Sequence, residues 1–253
     1  FGSLENQRQT WESHWQEIAD YVVPRKADVT KVRSPGDKRS ELIFDGTAIH
    51  AAELLSASLH GMLTNASTSW FSLSFGDREL DGDDEAREWL QSVEDVMYNS
   101  FNRSNFQEQI HELYHDLITF GTAVMFVEAD DDFSLRFSTR HISECYLSED
   151  QNGRVDTVYR KFKMPARAVM ARFGAENVSP KMLKKADTDP YQMMTLIHAV
   201  YKRDERDVTK VDSQNKPIAS VYLDPEEKII ISEGGFDEFP YICLLYTSDA
   251  ADD

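Results

Sequence analysis

One junction constrains this chain more than anything else in it: a helical stripe, a glycine and an almost unbroken apolar run, all between Asn102 and Glu128. Phe106, Ile110, Leu113 and Leu117 recur at helical spacing. Ser104 and Gln107 have the spacing of a capping box, which predicts the helix start. Gly121 can take the left-handed conformation that ends a helix, because it has no Cβ to clash. Thr122 to Val127 then reads as a strand covered on both faces. The helix-to-strand junction is therefore expected at the centre of the fold.

The same helix carries His111-Glu112-Leu113-Tyr114-His115, a match to the H-E-x-x-H pattern of zinc peptidases. There, two histidines one turn apart bind Zn²⁺, the glutamate acts as general base and a third ligand comes from elsewhere. Candidate third ligands are Glu128, His141 and Glu144, none with a supporting motif. Ile118 stands where the metzincin extension needs glycine. His111 and His115 point roughly 150° away from the apolar stripe, so they share a face with Glu108 and Glu112. That face reads first as solvated or interfacial, and second as a metal site.

With 253 residues the chain can bury a sizeable core as one large domain or two small ones. No apolar run is long enough to cross a bilayer, and no basic-then-apolar signal opens the chain. Phe1 in place of a methionine predicts a fragment. The formal net charge of -18 argues against a surface that grips a phosphate backbone. Only Cys145 and Cys243 are present, so a disulfide framework is not expected and a reducing compartment is the default.

Leu4, Trp11, Trp15, Ile18 and Val22 form one stripe of a first helix, which Pro24 ends. Arg25, Lys26, Lys31, Arg33, Lys38 and Arg39 then make the one basic segment of an acidic protein, read as a solvated loop or as a contact for nucleic acid or an acidic neighbour. Asp45 is a candidate N-cap for a second helix with Ala48, Ala51, Ala52, Leu55, Leu59 and Met62 on one side, whose small residues would let another helix approach. Trp70 to Phe75 alternates as a strand should, and Gly76 to Asp84 is an acidic loop lacking the ligand order of an EF-hand. A third helix is predicted with Ala86, Trp89, Leu90, Val93, Met97 and Phe101 inward.

Beyond the central strand, Asp130-Asp131-Asp132 predicts a turn into Phe133 to Ser138. Asn152-Gly153 predicts a hairpin between Cys145-Tyr146-Leu147 and Val155 to Phe162. Pro165 and Gly174 bracket a short helix, Ser179-Pro180 opens another, and strands return at Thr195 to Tyr201, Ile218 to Leu223 and Lys228 to Ser232. Helices first and hairpin-linked strands after predict an α+β fold, helical over 4–121 and strand-rich over 122–241.

Trp15, Tyr21-Val22-Val23-Pro24-Arg25, Phe44-Asp45-Gly46-Thr47-Ala48, Leu59-His60-Gly61-Met62-Leu63 and Trp70-Phe71 come in an order that resembles the head-to-tail connector, or portal, protein of short-tailed bacteriophages. The similarity continues through Ser104-Asn105-Phe106, Gly121-Thr122-Ala123 through Val127-Glu128, Val155 to Arg160 and Arg172-Phe173-Gly174, and ends with His198-Ala199-Val200 and Gly235-Phe236 to Pro240-Tyr241. It covers about Leu4 to Tyr241. It breaks at residues 242–253, where Cys243 to Asp252 resembles the conceptual translation of a sequencing-library adapter; the native protein is then expected to be longer.

The resemblance implies a wing-like region over 1–241, with stem, clip and crown largely in the absent part. It implies a ring of about a dozen subunits at one capsid vertex of the virion, assembled in the bacterial cytoplasm. The partners it implies are capsid and scaffolding proteins, terminase, tail or adaptor proteins, and double-stranded DNA passing without sequence-specific binding. It assigns no catalytic, cofactor or metal residue. The apolar face of the first helix and the Arg25 to Arg39 segment are the expected contacts between neighbouring subunits. The alternative is a zinc metallopeptidase using His111, Glu112 and His115.

Overall fold

The computed structural model describes residues 1–245 except 35, 78, 79, 81 and 133. Six helices, α1 (Gly2–Val22), α2 (Thr47–Leu63), α3 (Asp84–Arg103), α4 (Phe106–Phe120), α5 (Ala166–Phe173) and α6 (Pro180–Thr188), accompany eight strands among the described residues. The strands are β1 (Thr122–Asp130), β2 (Ser134–Arg140), β3 (Cys145–Glu149), β4 (Val155–Pro165), β5 (Met193–Lys202), β6 (Ile218–Asp224), β7 (Ile229–Phe236) and β8 (Tyr241–Leu245). The fold is α+β, as the order of patterns predicts. Two units divide it: Phe1–Glu12 with Ile142–Tyr241, and Ser13–His141 with the residues from Ile242 on.

The second unit is built on the predicted junction. Gly121 sits at φ 69° as the C-cap of α4, and its N–H donates to Leu117 O. Ala123 to Phe126 are buried in β1, the central strand of the sheet β2-β1-β8. β1 and β2 form an antiparallel hairpin from Val124 opposite Arg140 to Asp130 opposite Ser134. Phe106, Ile110, Leu113, Tyr114, Met125 and Phe137 form the core, with Trp70 stacked on Phe106 at 5.7 Å. Such a stack adds about 1 kcal/mol beyond the area it buries.

Several local expectations shift in this unit. No Gln107–Ser104 bond closes a capping box among the described residues. Instead the Ser104 hydroxyl accepts from the Phe106 N–H, and Asn105 is the N-cap. Asn105 latches α4 to β2: its Nδ2 donates to Phe137 O, and the Phe137 N–H donates back to Oδ1, both at 2.9 Å. Trp70 to Phe75 alternates in exposure but is no strand. Its backbone is held by side chains of α3: the Trp70 and Phe71 N–H groups donate to the Tyr98 hydroxyl, and the Leu73 N–H to Glu94. Alternation marks an extended segment; it does not supply a neighbouring strand.

Asp45 caps Thr47 through its N–H and hydroxyl, with Gly46 at the N-cap position itself. The buried side of α2 centres on Ala52 and Ser56, whereas Ala48, Ala51, Leu55 and Met62 of the expected stripe are exposed. In a helix apolar nearly all round, periodicity selects no face. Trp89 is likewise exposed, stacked on Phe75, while Ala86, Leu90, Val93, Met97 and Phe101 are half-buried as expected. Parts of the acidic stretch Gly76 to Asp84 and of the turn before β2 lie outside the described residues.

The first unit is a five-stranded antiparallel meander, β3-β4-β5-β6-β7. The Asn152-Gly153 turn joins β3 to β4, with Gly153 at φ 72°. α5 and α6 bury Ala166, Val169 and Met182 against Phe162, Met194, Leu196 and Ile231. Pro165 is the N-cap of α5, so the helix starts one residue later than expected, and the Ser179 hydroxyl caps α6 by accepting from the Met182 N–H. Near the N-terminus, the Arg8 guanidinium donates to the carbonyls of Ile142, Ser143 and Cys145, and lies 3.7 Å over the Tyr146 ring. His198 is buried, stacked on Tyr222 at 4.0 Å and bonded through Nε2 to the Ser220 hydroxyl.

Residues 246–253 of the expected non-native tail lie outside the described residues; Ile242 to Leu245 continue β8. No helix among the described residues is long and apolar enough to cross a membrane.

A paired substitution tests the packing of β7. A Cβ on Gly235 would lie 2.6 Å from Ile218 O and 2.8 Å from Ser213 O, both backbone atoms, whereas at Gly234 the nearest atom is 3.9 Å away. Gly235→Ala should therefore destabilise the protein by about 1–3 kcal/mol, and Gly234→Ala by about 0.5 kcal/mol or less. Urea unfolding of the two variants measures the difference.

Candidate functional site

The basic segment is where the sequence concentrates unusual chemistry, and most of its charge is turned inward. Lys26, just past Pro24, places Nζ 2.6 Å from Asp116 and 2.7 Å from Glu112, two carboxylates one turn apart on α4. Arg33 reaches Asp20 and Asp28 at 3.0 Å, Lys31 pairs with Asp20, and Arg39 pairs with Asp28 at 2.6 Å. Buried Gln16 completes the clasp. Its Nε2 donates to Ala27 O, and its Oε1 accepts from the N–H groups of Val29, Thr30 and Lys31.

The electrostatics follow from burial and pairing. Burial pushes the Asp116 carboxyl above its ordinary value of 3.8, against the pull of Lys26. Glu112 is also partly desolvated, but the hydrogen bond and charge of Lys26 hold it below its ordinary 4.5. Lys26 in turn loses solvation, yet the two carboxylates keep its ammonium charged by raising its pKa. Asp20 is drawn below 3.8 because the bonds from Lys31 and Arg33 outweigh its burial.

This arrangement overturns the zinc reading of His111, Glu112 and His115. Glu112, the would-be general base, is ion-paired with Lys26. His111 faces Ser56 at 3.4 Å and lies edge-on to His60 at 5.7 Å between ring centres, while His115 is buried with Nε2 3.7 Å from Glu53. Of the candidate third ligands, Glu144 accepts from Arg160, His141 packs edge-on against Phe120, and Glu128 lies opposite Arg136 in the β hairpin. Among the described residues no three His, Cys, Asp or Glu side chains are grouped to hold a metal ion. The face the histidines share with Glu108 and Glu112 is mixed: His115 is buried and His111 half-buried, whereas both glutamates are exposed. α4 packs against β1 and β2 on one side and α2 on the other, so the histidine part of its second face is turned toward α2.

The first-helix stripe is split: Trp15 is buried and Trp11 is 56% exposed. Val32 and Phe44, either side of the clasped segment, are 90% and 93% exposed.

The whole chain, residues 1–253, matches the sequence model of a family described as bacteriophage head to tail connecting protein. The chain belongs to that family. It is 32% identical over 247 residues to a probable portal protein of Bordetella phage BPP-1, and 32% identical over 253 residues to the portal protein of Salmonella phage epsilon15. The alignments cover 96% and 98% of this chain but 44% and 46% of those proteins, so it spans a little under half the length of the relatives it matches. Both relatives carry structural names.

Sequence reasoning found the basic segment of the connector but not its anchors. Asp20 and Gln16 lie one turn apart on the side of α1 that carries Trp15 and Ala19, and Glu112 and Asp116 share a face of α4. Acidic residues at helical spacing on an otherwise packed helix were the available signal.

Two measurements test the clasp. Lys26→Met leaves the buried Asp116 without its cation and should destabilise the protein by about 3 kcal/mol; adding Asp116→Leu should restore part of that loss. Urea midpoints of the single and double variants read this directly. The folded pKa of Asp20 is depressed, so its contribution is complete above 3.8 and lost as pH falls through the folded value. The stability gap between the parent and Asp20→Asn should therefore be constant at neutral pH and shrink below pH 3.8.

Proposed function

We propose that this chain is part of a portal subunit: a protein that assembles as a ring at one capsid vertex, takes in DNA driven by terminase and releases it through the tail. The observation that carries the reading is the family match over the full 253 residues. About a dozen copies would close the ring. Capsid, scaffolding and tail or adaptor proteins would be its neighbours in the virion, with assembly in the host cytoplasm. Residues 1–241 would form the wing-like part, with stem, clip and crown in the portion of the relatives that this chain does not match, and residues 242–253 would be a non-native tail.

The role asks for no covalent chemistry from the chain. It asks for a surface along which a duplex can move. A protein that paired many phosphates with lysine and arginine would retard DNA by counterion release and tight ionic contact. The net charge of -18 and the internal neutralisation of Lys26, Lys31, Arg33 and Arg39 work against such contact.

Negative-stain electron microscopy of the complete reading frame, expressed without other phage proteins, should show rings with an open channel. In the same preparation, double-stranded DNA at physiological salt should bind no more tightly than a non-specific Kd of about 10⁻⁴ M. Only monomers under all conditions would remove the ring, and salt-sensitive nanomolar DNA binding would remove the electrostatic argument.

A further inference from the structure

The joint between α2 and α4 is built largely from histidine. Of the seventeen residues of α2 only Ala52 and Ser56 are buried, and side chains this small bury little apolar area. Much of the rest of the contact is imidazole. His60 and His111 meet edge-on, 5.7 Å between ring centres, and His60 also packs against the Tyr114 ring. Hydroxyls of α2 and its C-cap complete this end: Thr64 Oγ1 lies 3.2 Å from His60 Nδ1, and Ser56 Oγ lies 3.4 Å from His111 Nδ1. About two turns back along α2, Glu53 lies 3.7 Å from Nε2 of buried His115.

Glu53 faces His115 and His60 faces His111, so the two helices run antiparallel and the joint has two ends of different chemistry. At one end a histidine meets a carboxylate. At the other it meets a second histidine.

Acid therefore acts on the two ends in opposite directions. A proton on His115 adds attraction to Glu53, and the neighbouring Glu112 and Asp116 of α4 are already tied to Lys26. Protons on both His60 and His111 put two like charges together in a partly desolvated contact, where repulsion is weakly screened. The other groups facing that pair, Tyr114, Ser56 and Thr64, are neutral, and Glu112, the carboxylate that feels His111, is committed to Lys26. His50 and Glu108, the remaining ionisable side chains of the two helices, are exposed. Burial and the neighbouring His111 hold the His60 imidazole below its ordinary 6.5. What neutral His60 contributes is thus complete above 6.5 and lost as pH falls through the lower folded value.

We propose that the joint is a proton-sensitive pivot: acid drives the C-terminal half of α2 away from α4 at His60 and His111, while Glu53 and His115 keep the N-terminal half in place. The released half carries Leu59 and leads on to Trp70, both packed against the core of this unit. Acid loosens that edge of the core and leaves the rest standing.

Hydrogen exchange read by mass spectrometry on the complete reading frame tests the pivot, with rates corrected for the intrinsic effect of pH. Between about pH 7.5 and about pH 5.5, protection over residues 59–71 should fall by about tenfold, and protection over residues 47–55 should hold. His60→Gln keeps a polar side chain without a titrating ring and should abolish most of the fall. Asp116 titrates in parent and variant alike, so the comparison isolates the histidine. Glu53→Gln, at an exposed position, should let the fall spread to residues 47–55. No fall in the parent, or the same fall in His60→Gln, would overturn the moving end of the pivot. A uniform fall along α2 in the parent, or an unchanged pattern in Glu53→Gln, would overturn the fixed end. Circular dichroism at neutral pH checks that each variant is folded; if His60→Gln is not, His111→Gln removes the other charge of the pair and carries the same expectation.

Discussion

The second unit depends on a helix that meets solvent only along a narrow strip at Glu108 and Glu112. α4 lies between a β hairpin and another helix, so the polar groups it turns inward need partners inside the protein. Lys26 answers Glu112 and Asp116, Ser56 faces His111, Glu53 lies near His115, and the Thr119 hydroxyl donates to His115 O. Asp116 sets the stakes highest. It is 1% exposed, and a carboxyl so deep either meets a cation or gives up its charge. The chain between α1 and α2 is therefore tied to α4 through Lys26.

The same requirement explains which parts of the fold were legible. The junction at Gly121 was plain, because helical period, a glycine and an apolar run each point to one answer. The Asn-Gly hairpin and the Ser-Pro helix start carry equally local signals. The face of α2 was not legible: six apolar residues at one spacing outweighed Ser56 and His60, though these polar residues fix the orientation by facing His111. Trp70 to Phe75 misled for a related reason. Its alternation records one wet and one dry side, but its hydrogen bonds come from Tyr98 and Glu94, more than twenty residues away.

His111 and His115 show how a motif can satisfy a pattern and fail its chemistry. The spacing does put both rings on one side of α4. A peptidase would need that side open to substrate, with a free carboxylate between the histidines. Here α2 covers it and Lys26 occupies the glutamate, so the residues that suggest hydrolysis serve as polar packing between two helices.

The same pairing governs the cations of the basic segment. Four of the six cations in the basic segment, Lys26, Lys31, Arg33 and Arg39, are held in ion pairs with carboxylates of the same unit. Beyond the last of these pairs, at Arg39, the chain leaves Phe44, a large ring, in water. Holding such a side chain out costs solubility, and a free monomer offers no return for it.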